Sequence, residues 1–326
     1  MKNSRISTTR LAEICGVSQG TVDRALNGRK GIRNETREKI LAAAKEYGYR
    51  PNIHARSIAG GRSMLIGMVV FDLHNPYFTE LLMQMEKYCR AHGYAVVTMF
   101  SDKNEKQEIE CIRELYHMSV DGIVLCPVNS GETYENYLES LQIPIITIGN
   151  RLEHFTYVGI DNEKAMEETV AYVLGRKYEC LYYVKPKLQE KNVSAQKERL
   201  DTFIRTCRKD NTKYELLSLQ EAMQKEAFDN SHVSEGRKKS AFICPTDTYA
   251  IRLLDIAKKR GMGIIGFDNI PMIDELNLEL DSVAYDTQET ARIVMEYIIG
   301  ADIGKKKAGN CDRRIVEYRI MKRGSV

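Results

Sequence analysis

The sequence predicts an α/β protein in two parts: an N-terminal three-helix headpiece built on a helix-turn-helix with a short hinge helix, then a larger domain of two lobes with parallel sheets. Three observations carry this. From Met64 onward, short apolar runs alternate with amphipathic stretches, the pattern of a parallel sheet wrapped by helices. That alternation restarts after "YVGID", so two like lobes follow one another. The first sixty residues differ, with helical spacing only, glycine punctuation and a concentration of positive charge.

Size and composition set the bounds. With 326 residues and 37.3 kDa, the chain can bury two or three cores. It is 43% hydrophobic and 29% charged, a globular balance, and no apolar run approaches the ~20 residues of a membrane span. The start, "MKNSRISTTR", lacks the apolar core of a signal peptide, so a cytoplasmic location and no membrane partner are expected. The 8 cysteines are scattered without a C-x-x-C pair, which predicts buried reduced thiols, no metal site and no cofactor. The net charge of +3 hides an asymmetry: residues 1–62 hold 13 Lys+Arg against 5 Asp+Glu, leaving −5 for the remainder. Such a basic segment suits a polyanion, although a solvated basic face has the same composition.

Within "STTRLAEICGVSQGTVDRALNG", Leu11, Ile14, Cys15, Val17, Val22, Ala25 and Leu26 keep helical spacing on either side of Gly16. Ser7 or Thr8 caps the first helix and Ser18 the second. In a helix-turn-helix the second helix enters the major groove by its N-terminal turn, which turns Gln19, Gly20, Thr21 and Arg24 toward DNA. Glutamine pairs with adenine and arginine with guanine, while Ser18 or Thr21 suits phosphate. A third helix, "NETREKILAAAKEYGY", is expected with Asn34 as cap and Ile40, Leu41, Ala44 and Tyr47 inward, ended by Gly48 and Pro51. The domain boundaries follow: a headpiece over 1–50, a hinge over 51–62 and the lobes over 63–326. In the hinge, Asn52 caps a helix from Ile53 to Ala59 that Gly60 and Gly61 terminate. Helices below roughly 12 residues are marginal alone, so this one is expected to be ordered conditionally. Ala55 permits close approach, and Ile58 is the apolar wedge that a minor-groove base step accepts.

These segments, with "TREKILAAAKEYGYRPNIHARSIAGGRSMLIGMVV" and "DLHNPYF", resemble the lactose-repressor (LacI/GalR) family of transcription regulators. The likeness is dense over residues 6–100 and sparser to the C-terminus. It implies a DNA-binding headpiece, a hinge helix and a periplasmic-binding-protein-like effector domain, acting as a homodimer on a near-palindromic operator. By that resemblance Gln19, Gly20 and Arg24 would read bases, Thr21 and Asn27 would help hold the backbone, and Ala55 and Ile58 would sit at the minor-groove step. Two residues depart from the family pattern. Ile58 replaces the usual leucine and is stiffer at χ1. Asp23 replaces a common serine, and near phosphates its carboxylate must accept from a base amino group or orient a neighbour such as Gln19.

In the larger domain, "MLIGMVVF", "YAVVTMF", "VDGIVLCP" and "IPIITIG" read as strands, with helices around 80–92, 105–118 and 132–141. The second lobe reads as helix 162–174, strand "CLYYV", helix 195–208, strand "YELLSL", a helix, strand "AFICP", helix 248–259 and strand "GIIGFD". Ligands of open α/β sheets bind beyond the carboxyl ends of strands. Asp72, Asn75, Asn150, Asp247 and Asp268 stand at those ends, with Tyr77 and Phe78 as apolar walls. Taken singly each carboxylate is a turn or cap residue; together they suit the hydroxyls of a sugar-like effector. The resemblance adds Arg199 of "ERLDTF" as the effector-binding arginine and marks Asp268 as the hydroxyl-binding aspartate, with Asn150 and Asp247 matching more loosely. Departures here are "EKAMEE" in place of a Gly-Gly pair, a shortened approach to "GIIGFD", and the charged loop "VKPKLQEKNVS".

"GMGIIG" satisfies G-x-G-x-x-G but follows a helix and runs into a strand, the reverse of a dinucleotide site. No G-x-S-x-G, H-E-x-x-H or P-loop occurs, so no enzyme is expected. The rival expectation is a soluble sugar-binding protein without a DNA role, which would need an export signal or a catalytic constellation, and neither is visible in the sequence. Induction and co-repression fit the regulator equally.

Overall fold

The computed structural model describes residues 6–26, 28–49, 62–186, 191–224, 239–300 and 312–326, which fall into two compact units, Met1–Ser63 and Met64–Val326. In the first, α1 (Thr8–Cys15), α2 (Gln19–Leu26) and α3 (Asn34–Glu46) close around Leu11, Cys15, Val22, Ala25, Ile40 and Ala44. Ser7 is the cap of α1, its Oγ accepting the Arg10 N–H at 3.1 Å, and Gly16 ends the helix at a left-handed φ of 68°. Ser18 starts α2 likewise, accepting the Thr21 N–H at 3.2 Å.

Three expectations for α3 change. Asn34 is its first helical residue, and Arg33 occupies the cap position without a side-chain bond. Leu41 is 45% exposed, because it lies roughly 100° around the helix from Ile40 and so off the buried face. Tyr47 is 50% exposed because it falls beyond the last helical residue. The Tyr49 N–H closes on the Ala44 carbonyl at 2.8 Å over left-handed Gly48, and Tyr49 packs on the core instead. The hinge helix expected over 53–59 lies outside the described residues.

The described residues of the second unit form two six-stranded sheets. In the first lobe β1 (Leu65–Val70), β2 (Ala95–Phe100), β3 (Ile123–Leu125), β4 (Ile145–Ile148), β5 (Thr156–Gly159) and β11 (Arg313–Ile315) run in the order β11-β5-β4-β3-β1-β2, all parallel. In the second lobe β6 (Cys180–Lys185), β7 (Lys213–Ser218), β8 (Ser240–Ile243), β9 (Gly263–Phe267), β10 (Asp281–Tyr285) and β12 (Tyr318–Met321) run β12-β10-β9-β8-β6-β7. Only the β10–β12 pair is antiparallel among these pairings. The helices are α4 (Pro76–Ala91), α5 (Glu105–His117), α6 (Glu132–Ser140), α7 (Asn162–Gly175), α8 (Ser194–Lys209), α9 (Leu219–Gln224), α10 (Asp247–Lys259), α11 (Met272–Glu275) and α12 (Thr287–Ile299). Helix α4 begins at 76, earlier than the sequence pattern marks it, because Asn75 caps it (Tyr77 N–H to Oδ1, 3.1 Å) and Pro76 fits its first turn.

The two lobes do not lie in series as expected. The chain passes from β5 into α7 of the second lobe, returns after β10 into α12, which packs on α4, β4 and β5, and crosses again between β11 and β12. Periodicity misses this because strand runs report burial and not sheet membership.

One buried carboxylate organises the first lobe where it meets the second. Glu108, on α5, accepts the Val128 N–H at 2.7 Å, the Asn129 N–H at 3.2 Å and the Tyr134 hydroxyl at 2.6 Å. The loop it holds accepts the Asn192 N–H at the Val128 carbonyl, 2.9 Å away.

Candidate functional site

On the first unit, Ser18, Gln19, Gly20 and Arg24 are exposed along α2, with Thr21 half-buried. Gln19 Nε2 donates to Thr8 Oγ1 at 3.1 Å, which ties the start of α2 to α1. Arg24 Nε donates to the Gly20 carbonyl at 3.1 Å, so its guanidinium lies back along the helix toward the exposed N-terminal turn. Ser18 Oγ and Thr21 Oγ1 share a hydrogen bond of 2.9 Å. The Asp23 carboxylate receives Arg29 Nη1 at 3.2 Å, a partner the sequence does not single out. That pairing offsets the negative charge on a face otherwise suited to phosphate. Asn27, Ala55 and Ile58 lie outside the described residues.

In the second unit a cavity of about 310 Å³ lies between the lobes, and Asp72, Asn75, Tyr77, Phe78, Arg199 and Asp268 all line it. Its centre is Asp268, just past β9. Asp268 Oδ2 accepts Asn75 Nδ2 at 2.7 Å from the opposite lobe, and Oδ1 accepts the Tyr285 hydroxyl at 2.6 Å. The residue is 6% exposed and has a φ of 101°, followed by Asn269 at 48°. Non-glycine residues in such conformations cost about 1–3 kcal/mol each and persist where the surroundings fix them, which is common at binding sites. Burial, then the charge of Asp268, pushes the phenols of Tyr77 and Tyr285 well above their ordinary pKa, so both are neutral donors.

Arg199, on α8, is 5% exposed. Its Nε donates to Asn162 Oδ1 at 2.8 Å and its Nη1 to the Pro245 carbonyl at 2.9 Å, with the guanidinium 4.3 Å over the Phe267 ring. The plane is thereby fixed before a ligand arrives. Phe71, Phe78, Tyr77 and Tyr285 form a continuous aromatic wall with centroid spacings of 4.8, 5.2 and 4.8 Å. Lys103 pairs with Asp72 at 3.1 Å.

Asn150 and Asp247 are not brought into this lining. Asn150 joins the lobes, its Nδ2 donating to the Pro127 and Asn192 carbonyls at 3.1 and 2.9 Å. Asp247 is fully buried at the start of α10, and burial, then Asp268, pushes its carboxyl well above the usual range. Lining residues the sequence did not mark include Lys103, Tyr157, Thr246 and Tyr285. Thr246 directly precedes Asp247 after "FICP", and Tyr285 ends a strand whose "DSVAY" alternates too weakly to stand out.

A sequence model of bacterial regulatory proteins of the lacI family matches residues 11–52, and one of periplasmic binding proteins and the sugar binding domain of the LacI family matches residues 63–292. Catabolite control protein A of Priestia megaterium is 25% identical over 304 residues, covering 88% of this chain and 90% of that one. The sucrose operon repressor of Klebsiella pneumoniae is 36% identical over 150 residues, covering 45% of this chain and 44% of that one. In fold, the chain is similar to the lac repressor dimer bound to operator and the anti-inducer ONPF, with a TM-score of 0.78 at 16% identity and 98% of each chain covered. Among the described residues no helix is long and apolar enough to cross a membrane.

Proposed function

The chain belongs to the LacI family of bacterial regulatory proteins, DNA-binding transcription regulators with a sugar-binding domain, and from that premise we propose that it is a homodimeric repressor controlled by a neutral sugar held between its lobes. In this reading residues 1–50 form the headpiece, 51–62 the hinge and 63–326 the effector and dimerisation domain. Gln19, Gly20 and Arg24 read base edges in the major groove, while Ser18, Thr21 and Asn27 position the backbone. Ala55 and Ile58 enter the minor groove. The protein acts in the cytoplasm on a near-palindromic operator and performs no catalysis.

The observation that carries the effector assignment is the convergence on Asp268: a carboxylate on a left-handed backbone, beside a fixed arginine, in a cavity faced by aromatic rings. Carboxylate, guanidinium and amide groups bind vicinal hydroxyls, and the rings pack on a sugar face. The lining charges favour a neutral ligand. Lys103 is matched by Asp72, and Arg199 lies in the field of Asp268, so a phosphate would find no uncommitted cation among these four. An effector changes operator affinity only through its differential affinity for two lobe arrangements, with a coupling of typically about 1–3 kcal/mol.

The test is a thermal-shift screen of D-glucose, D-fructose, D-ribose, sucrose and cellobiose against their available phosphates, followed by operator titration with and without the hit. A neutral sugar is expected to raise Tm and to change operator affinity, with binding that weakens steeply as salt rises. A phosphorylated sugar as the sole ligand refutes the neutral class, and a hit that leaves operator affinity unchanged refutes the control.

A further inference from the structure

We propose that Asp247 is a positioning residue of the effector site: it holds the turn over residues 268–270 in the left-handed form that presents the Asp268 carboxylate to the cleft. The inference rests on the reading that Asp268 contacts the effector.

Asp247 is fully buried and outside the cavity lining, so it has no route to a ligand. Its carboxylate instead faces donors on the far side of that turn. Oδ2 accepts the Ile270 N–H at 3.0 Å, and Oδ1 accepts the Ser282 hydroxyl at 2.7 Å. Ser282 Oγ in turn accepts the Asn269 N–H at 3.0 Å. The Asp268 N–H closes on the Val283 carbonyl at 2.9 Å. Three successive amides are therefore pinned, two of them through Asp247, directly or by way of Ser282. These are the ties a non-glycine backbone at φ 101° requires, since without them it relaxes toward negative φ. Arg323 Nη2 adds a bond to Asn269 Oδ1 at 2.9 Å but touches no amide of the turn.

Gly266 is an independent sign of the same arrangement. It lies inside β9, where glycine weakens a strand unless a close neighbour needs the room. A Cβ at this position would stand 2.1 Å from Asp247 Oδ1 and 3.1 Å from its Cα. The strand thus leaves a gap that Asp247 fills.

Amide exchange on the full-length protein, without ligand, tests the tie itself. In Asp247→Ala the amides of Asn269 and Ile270 are expected to exchange about 10-fold faster or more, with β9 still protected. Gly266→Ala is expected to act alike by displacing the carboxylate. Asp247→Asn is expected to restore protection, its oxygen taking the Ile270 N–H while its amide donates to Ser282 Oγ. Should Asp247→Ala fail to fold, Ser282→Ala frees Asn269 and leaves Ile270 tied. Unchanged exchange at both amides in Asp247→Ala, or, where that variant does not fold, at Asn269 in Ser282→Ala, overturns the proposal.

The second readout is affinity for the sugars of the screen above. Asp247→Ala is expected to weaken binding about 10-fold, the loss of one charge-assisted hydrogen bond, and Asp247→Asn to stay within about 3-fold of the parent. Loss of binding in Asp268→Asn with none in Asp247→Ala overturns the positioning role. Undiminished binding in Asp268→Asn instead refutes the effector reading, and the exchange result, which needs no ligand, then still decides whether Asp247 holds the turn.

Discussion

Asn75 has two separable duties, and one substitution divides them. Its Oδ1 caps α4 and its Nδ2 reaches Asp268 across the cleft at 2.7 Å. Serine keeps the cap, since its oxygen also accepts an amide two residues on, but is too short to cross the cleft. Asn75→Ser therefore removes only the inter-lobe bond. A hydrogen bond to a buried charged acceptor contributes about 1.5–3 kcal/mol, and Asp268, 6% exposed, is left with Tyr285 as its other donor. The expected loss is about 2 kcal/mol, or roughly 4–8 °C in Tm for a domain of this size. Asn75→Ala loses the cap too and should cost about 1 kcal/mol more. Urea unfolding followed by far-UV circular dichroism, at fixed m, measures both. Equal stability of Asn75→Ser and the parent within about 0.5 kcal/mol refutes the inter-lobe bond as a contributor, and equal loss in both variants refutes the separate cap.

Arg199→Lys should weaken sugar binding at least about 10-fold, because an ammonium cannot hold both Asn162 Oδ1 and the Pro245 carbonyl while stacking on Phe267; calorimetry with the screened sugar checks this. Arg24→Ala should cost about 1–3 kcal/mol of specific operator binding and leave sugar affinity unchanged, read by operator and scrambled-duplex titrations. Burial pushes the Glu108 carboxyl up to about 7, against the opposing hydrogen bonds from Tyr134, Val128 and Asn129. The folded state then keeps its proton to a higher pH than the unfolded chain, so this contribution is fully present below about 4.5 and is lost as pH rises through about 7, by roughly 3 kcal/mol in all. Stability measured from pH 5 to 8 should fall accordingly, and Glu108→Gln should flatten that slope.

Much of the second unit was legible because its strands are continuous apolar runs and its helices amphipathic, so strand ends and the polar residues on them could be located by counting. Six of the cleft residues follow from that logic and from the family resemblance. Asp247 shows where it fails: sequence places it one residue from Thr246 at the same strand end, but the first turn of α10 sends the threonine into the cavity and the carboxylate into the core. Leu41 and Tyr47 fail for a related reason, since a repeat of three or four tolerates a one-residue rotation and ignores where the helix stops. Tyr285 was hidden because β10 opens with a buried Asp281 and Ser282, whose burial depends on partners distant in sequence.

The threefold passage of the chain between the lobes limits how this gene can be cut. Segment 287–321 contributes an outer strand to each sheet and the helix seated on α4, so a premature stop near residue 286 would strip both lobes at once and bare two ladder edges to self-association. No uninterrupted fragment holds one whole lobe without part of the other. Exchange of parts between relatives by a single splice is thus confined to the region before Met64, where a new headpiece could be grafted without disturbing either sheet.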